Sequence, residues 1–179
     1  MEPDIAAVEG LFCPPARLKL PRGTPCLARR SKGIGGDSQV SAPTAAQQAG
    51  LRYEAQAREH LEALVPSWDF GIWWTYVDQR TGRDRLCQVD AFRVDFFQKL
   101  VNVVEIKKRH TSDSWWQLRK LYEPVLRSVY PAPYQFNVVE MCESFDPDIR
   151  LSEPIFFVDD LVKWTAAPAP GFGVYRWRP

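Results

Sequence analysis

The sequence predicts an α/β fold in which a mixed sheet of four to five strands is flanked by helices, in the order α, β, β, β, α, β. Apolar residues at helical spacing precede residue 65 and indicate the first helix. Three runs rich in β-branched and aromatic residues follow at short intervals, which favours an antiparallel meander. A second helical stretch separates the third run from a fourth, and such a crossover is typical of a parallel pair.

The first helix is expected to begin near Pro43 or Thr44 and to end before Pro66. Its apolar stripe consists of Ala46, Ala49, Tyr53, Ala57, Leu61 and Leu64. This spacing places them on one side of a helix. Glu54 lies at the edge of that stripe, in line with the core positions, and is therefore a candidate functional residue.

The remaining elements follow from local composition. Strands are expected at residues 72–77, 85–94, 100–107 and 135–141, with a turn at Gly82 after the first of them. The second helix is expected over residues 112–129, where Pro124 would kink or divide it because proline lacks an amide hydrogen. Residues 155–164 suggest a short strand followed by a helical turn.

Both ends of the chain are predicted to lie outside this core. Residues 1–43 contain six prolines and the stretch SKGIGGDSQVS, which indicates an extended arm that ends in a linker. This glycine-rich stretch lacks the Gly-Lys-Ser/Thr of a phosphate-binding loop. Residues 166–179 are predicted to form an extended C-terminal tail, so the domain spans residues 44–165.

The third strand, LVNVVEIK, carries charges inside an apolar run. Side chains alternate across a strand, so Glu105 and Lys107 share one face while Val104 and Ile106 share the other. Asp90, in the middle of the preceding strand, can lie opposite them. An exposed edge strand with a salt bridge is the alternative interpretation. Unpaired buried charges are expensive, however, and the surrounding valines favour a buried site.

Two adjacent carboxylates raise each other's pKa unless a cation lies between them. Magnesium is bound by one or two carboxylates together with waters, and the carbonyl of Ile106 could add an oxygen ligand. Lys107 would then position an attacking water or offset charge on a phosphate. Asp95 would replace Asp90 if the register differed, because a shift of one residue sends each side chain to the other face.

The segment QVDAFRVDFFQKLVNVVEIKK resembles the core of the PD-(D/E)XK nuclease superfamily, of the RecB-like kind. The likeness covers about residues 44–141 and implies a restriction-endonuclease-like core. It assigns the strand acid to Asp90, the Glu-x-Lys motif to Glu105 and Lys107, the helix glutamate to Glu54 and a glutamine to Gln117. Glu54 would join Asp90, Glu105 and Ile106 around the metal.

The sequence departs from this family in two places. Val89 stands where proline is usual. Tyr122 follows Gln117 by five residues, where the RecB-like spacing is four. The cysteines that bind an iron–sulfur cluster in some relatives have no counterpart, so we expect Mg²⁺, or Mn²⁺ in its place, and no iron–sulfur cluster.

A nuclease also needs contacts to the phosphate backbone. The expected DNA-binding residues are Lys108, Arg109, His110, Arg119 and Lys120. Trp115 and Trp116 would either stack on a frayed base or close the core beside the helix.

Overall composition adds little about partners. The net charge is +1, so nucleic acid would have to be met by a local patch. Neither a secretory signal nor an apolar stretch of roughly 20 residues is evident, so no membrane partner is expected. The four cysteines are scattered without CxxC spacing, which favours reduced thiols. We therefore expect a location in the cytoplasm or within a viral particle.

Three functional hypotheses follow. The leading one is a magnesium-dependent deoxyribonuclease, associated with a phage or mobile element. The alternative is a nuclease-fold subunit that binds DNA or protein without cutting, docked into a viral particle or recombination complex through the arm and tail. A third is a single-strand-binding module that uses the tryptophans.

Overall fold

The computed structural model describes residues 43–78, 81–146 and 149–179. They form a six-stranded mixed sheet flanked by helices, with strand order β1-β2-β3-β4-β6-β5. In chain order the elements are α1 (Ala45–Leu64), β1 (Asp69–Asp78), β2 (Arg83–Asp95), β3 (Leu100–Arg109), α2 (Ser112–Trp116), a π-helix (Gln117–Tyr122), α3 (Glu123–Val129), β4 (Gln135–Ser144), β5 (Ile155–Val158), α4 (Leu161–Ala166) and β6 (Phe172–Arg176). The predicted α/β class and the four predicted strands are thus confirmed.

Helix α1 begins and ends where the sequence indicates. Thr44 caps it: its hydroxyl accepts the Gln47 amide at 3.2 Å while the Gln47 side chain accepts the Thr44 amide at 2.8 Å. Of the predicted stripe, Tyr53, Ala57 and Leu61 are buried. The remaining three positions lie toward the helix ends and are not in the core.

The sheet has the predicted connectivity. Strands β1, β2 and β3 form an antiparallel meander, and β3 runs parallel to β4. Helix α1 packs on one face, which we call the α1 face, against Val104 and Ile106 among others. The α2–α3 segment packs on the other, the α2 face, against residues that include Val103. Glu105 therefore faces a covered layer rather than open solvent.

The second helical stretch is divided by a π-helical segment directly before Pro124. Proline has no amide hydrogen to donate to the preceding turn, and a wider turn relieves that conflict. The predicted disruption at Pro124 therefore takes the form of a π-turn within one continuous helical path.

The C-terminus differs from the expected tail. Phe172–Arg176 form β6, inserted in parallel between β4 and β5, so the sheet has six strands rather than four or five. Gly173 allows this close packing, because a Cβ there would lie 2.8 Å from the Trp164 ring. The Pro-rich stretch before β6 has the composition of a linker. Local sequence therefore does not indicate this short strand, whose pairing partner β4 is distant in sequence. The expected N-terminal arm lies outside the described residues.

Two buried asparagines attach this C-terminal unit to the sheet. Asn137 donates to the carbonyls of Trp164 and Ala167, each at 2.8 Å, and accepts the Ala169 amide at 2.7 Å. It also donates to the side chain of Asn102, its register partner on β3. The asparagine side chains thus supply hydrogen-bond partners to backbone groups of α4 and of the loop after it.

Within the described ranges, no helix is both long and apolar enough to cross a membrane. Cys87 and Cys142 are buried and form no disulfide within those ranges, and the other two cysteines lie outside them.

We predict that Asn137→Ala destabilises the protein by about 3 kcal/mol, because it leaves several buried polar groups without partners. Urea unfolding at neutral pH measures this loss. Gln135→Ala, at an exposed position on the same strand, should change the free energy of unfolding by less than about 0.5 kcal/mol. Equal effects of the two substitutions would contradict the role given to the network.

Candidate functional site

The candidate site lies where β2 separates from β3. The register between these strands runs from the pair Asp95–Leu100 to the pair Ala91–Val104, where the ladder ends. One residue further, the Asp90 carboxylate accepts the backbone amide of Ile106 at 2.8 Å. On the β1 side, Gly71 stands opposite Asp90 with φ at 64°, a conformation that favours glycine. A side-chain hydrogen bond therefore takes the place of a backbone pair.

Glu105 is the central acid of the site and is 1% exposed. It occupies the position of β3 next to the end of the ladder, on the α2 face. Burial first, and then the neighbouring charge of Asp90, raise the pKa of Glu105 to about 8, against the lowering effect of Lys107. One carboxylate oxygen of Glu105, Oε2, has no hydrogen-bond partner among the described residues. The two acids are therefore close enough to interact, as the sequence predicts.

Lys107 forms an ion pair with Oε1 of Glu105, and its side chain remains 27% exposed. The ammonium group thus lies between a buried carboxylate and the solvent. Because solvent reaches the Lys107 side of this ion pair, its desolvation cost is smaller than that of an ion pair buried completely in a core. Asp90, Glu105, Lys107 and the backbone of Ile106 meet at one point.

The π-helix brings two further residues to this point. Gln117 Nε2 donates to the Tyr122 hydroxyl at 3.2 Å. In a π-helix, residues five apart lie on one side of the helix, so the five-residue spacing is compatible with a common face. The pKa of Tyr122 is raised well above its ordinary value by burial and then by the charges of Glu105 and Asp90. Tyr122, whose role the sequence left open, therefore interacts with Glu105.

Glu54 is not brought into this group. It forms an ion pair with Arg58 one turn further along α1. Arg58 in turn lies 5.8 Å from the centre of the Phe70 ring. Helix α1 covers the opposite face of the sheet from Tyr122, and no described contact joins Glu54 to Asp90 or Glu105. The structure thus offers no support for Glu54 as a metal ligand.

The expected DNA-binding residues divide into two groups. Lys108 and Arg109 pair with Glu143 and Asp146, but their side chains are 48% and 72% exposed. Lys120 is exposed and lies 5.2 Å from the centre of the Trp115 ring. Surface pairs of this kind are weak, so these three cations can turn toward a phosphate.

The other two cations differ from the expectation. The guanidinium of Arg119 is engaged by Glu123 at 2.8 Å and by Glu153 at 2.7 Å, so its charge is already offset. His110 is 1% exposed rather than a surface residue. Its backbone amide extends the β3–β4 ladder to Ser144, which turns the imidazole inward. The role in DNA binding expected of these two residues stays a prediction, and neither the ion pairs of Arg119 nor the burial of His110 adds support to it.

His110 instead forms a buried pair that the sequence did not reveal. Its Nδ1 contacts the carboxylate of Glu140, which is also buried, and its ring stacks on Phe145 at 4.5 Å. Glu140 is the register partner of Glu105 on the adjacent strand. The isolated glutamate in the run VVEM was the available signal, because its position within a core strand requires a partner.

Two further expectations are settled by position. Trp115 is buried and packs in the core of the α2 face, so it closes the core. Asp95 caps the turn after β2, where it accepts the amides of Phe97 and Gln98 at 3.0 and 2.8 Å. It therefore lies at the far end of the strand from Glu105 and does not replace Asp90.

The donor set suits a hard divalent ion with few protein ligands. Among the described residues, no three His, Cys, Asp or Glu side chains form a metal-binding group. Magnesium needs only one or two carboxylates, since it keeps several waters. The unpartnered oxygen of Glu105 and the adjacent Asp90 carboxylate meet that requirement, and a cation between them would relieve their repulsion.

Comparisons of this chain with family models, curated proteins and solved structures found no match. The likeness to the PD-(D/E)XK nucleases therefore depends on the residues themselves.

We predict that the stability of the metal-free protein falls as pH rises from about 4.5 to about 8. The pKa of Glu105 is raised from 4.5 to about 8 on folding, so the native state binds the extra proton in that interval. This contribution is fully present below about pH 4.5 and is lost above about pH 8. Glu105→Gln should flatten this part of the profile and raise stability at pH 8.

Urea unfolding in EDTA across this pH range provides the measurement. Glu59→Gln, at an exposed position on α1, is the matched control and should keep the wild-type profile. A Glu105→Gln profile parallel to that of the wild type would show that this carboxyl is not the group responsible.

Proposed function

We propose that this protein is a metal-dependent nuclease that hydrolyses DNA phosphodiester bonds. The observation that carries the proposal is the meeting of Asp90, Glu105 and Lys107 where β2 leaves β3, with the Glu105 carboxylate buried. Such a combination of two acids and one base at a gap in a sheet is costly to maintain, since each buried charge loses its hydration. The resemblance of residues 44–141 to the PD-(D/E)XK core supports the same conclusion.

Asp90 and Glu105 would hold the divalent ion, with the Ile106 carbonyl as a further oxygen ligand. When bound, magnesium supplies the Lewis acidity that makes water a better nucleophile at neutral pH. Asp90 already accepts the Ile106 amide, which fixes the orientation of its carboxylate. This contact also fixes the position of the backbone that joins Glu105 to Lys107.

Lys107 is the residue suited to meet the phosphate. Its ammonium is paired with Glu105 yet reachable from solvent, so a phosphate oxygen can approach it. A preorganised cation at the place where negative charge develops is worth far more in a partly dry site than in water. Tyr122 and Gln117 would position Glu105 from the helix above.

The remaining cations would hold the DNA strand. Lys108 and Arg109 follow directly after Lys107, and Lys120 extends from the π-helix. Contacts from these side chains to phosphates would set the position of the strand without reading its sequence.

We expect magnesium-dependent nicking of supercoiled plasmid, and we expect Asp90→Asn or Lys107→Ala to reduce its rate at least about 100-fold, because the first weakens the hold on the metal and the second removes a cation that would stabilise the transition state. Agarose-gel kinetics measure the rate. Asp84→Asn on the same strand is exposed, makes the same charge change and should leave the rate unaltered.

The same assay separates the competing hypotheses. Tight DNA binding without cleavage in either magnesium or manganese would reject the nuclease and favour the non-cutting subunit. Cleavage that survives both substitutions would show that the activity resides in another site or in a contaminant.

A further inference from the structure

A small cavity lies at the end of the sheet opposite the acidic site. Its volume is about 250 Å³, and its walls are formed by Ser67, Trp68, Asp69, Val94, Phe96 and Tyr130. Val94 pairs with Val101 near the start of β3, whereas Glu105 and Lys107 lie toward the other end of that strand. The cavity is smaller than pockets that bury drug-sized ligands, so it fits a head group rather than a whole metabolite.

The walls combine three aromatic rings with one carboxylate. Asp69 is solvent-exposed as a residue and forms no ion pair or hydrogen bond with another side chain among the described residues, and partial burial of its carboxyl raises its pKa. Tyr130 lines the same cavity as Asp69, and burial first and then the charge of Asp69 raise the pKa of its hydroxyl. The indole nitrogen of Trp68 is buried without a hydrogen-bond partner in the described structure. The cavity therefore brings an acidic side chain next to aromatic faces, the two kinds of group that attract an organic cation.

The surroundings add to the negative charge. Glu62 accepts the backbone amides of Ser67 and Trp68, at 3.2 and 3.3 Å, and so lies against the same wall. Asp95 caps the adjacent turn. That turn also presents Phe97, which is 95% exposed. This exposed ring follows Phe96, which lines the cavity, and offers apolar contact area to a larger molecule that carries the cation.

We infer that this cavity binds an organic cation, an ammonium or guanidinium group, held between Trp68, Phe96 and Tyr130 with Asp69 as its counter-ion. A cation placed over aromatic faces is attracted by their quadrupoles, and the attraction strengthens when water is excluded. The group can be carried by a small molecule or by a lysine or arginine side chain of another protein. The inference is independent of the nuclease activity, because it uses none of the residues at the acidic site.

The test is a titration of ¹⁵N-labelled protein followed by NMR, with the indole signal of Trp68 assigned by Trp68→Phe. Choline is the small-molecule probe, and its neutral isostere 3,3-dimethylbutan-1-ol is the control for shape. An acetylated Gly-Lys-Gly amide, with norleucine replacing lysine as its control, represents the protein source. All titrations are made at constant ionic strength.

We expect one of the two cationic probes to shift the Trp68 signal, with binding at least about 10-fold tighter than that of its neutral control. Asp69→Asn should weaken this binding by about 10-fold. Asp84→Asn, with the same charge change at the other end of β2, should leave it unchanged. Circular dichroism establishes that both variants are folded. Saturation by the neutral control at equal concentration, or no shift with either cation at tens of millimolar, would overturn the inference.

Discussion

The candidate site depends on one hydrogen bond, in which a side-chain carboxylate accepts a backbone amide. In a continuous sheet, a carbonyl of the neighbouring strand would accept that amide. Beyond Ala91 and Val104 the ladder between β2 and β3 ends. Without another acceptor, the backbone amide of Ile106 would be a buried donor without a hydrogen bond. Asp90 supplies the acceptor. On β1, Gly71 lies opposite Asp90 and has a positive φ, which interrupts the regular strand conformation there. The gap is thereby stabilised from both sides, which leaves Asp90 and Glu105 facing a shared space.

The two buried glutamates near this gap have partners of different chemical types. Glu105 is flanked by an ammonium on the strand that carries it and by a phenol from the π-helix above. Across the register, the carboxylate of Glu140 contacts the imidazole of His110. Adjacent strands therefore each carry one buried carboxylate with a separate partner.

Much of the fold and part of the site could be predicted from local sequence. Alternation along β3 placed Glu105 and Lys107 on one face, and the hairpin spacing placed Asp90 beside them. The role of Glu54 stays a prediction: helical periodicity gave its face on α1 but not the layer on which that helix packs, and in the structure it pairs with Arg58. The role of Tyr122 was obscured because a residue count assumes α-helical turns, and a π-turn changes which positions coincide. His110 was misread because a basic run looks exposed until its tertiary partner is known.

The position of β6 has a consequence for how the chain folds. Strand β5 pairs only with β6 within the described sheet, so it has no hydrogen-bonding neighbour until residues 172–176 have been synthesised. The carbonyl of Trp177, just after β6, accepts the Tyr53 hydroxyl at 3.1 Å, which links that late segment to the earliest described helix. Contacts between such distant parts of the chain slow folding. During synthesis on the ribosome, the meander and its helices can form first. The edge of β4 then remains unpaired and accessible to chaperones until β6 has been made.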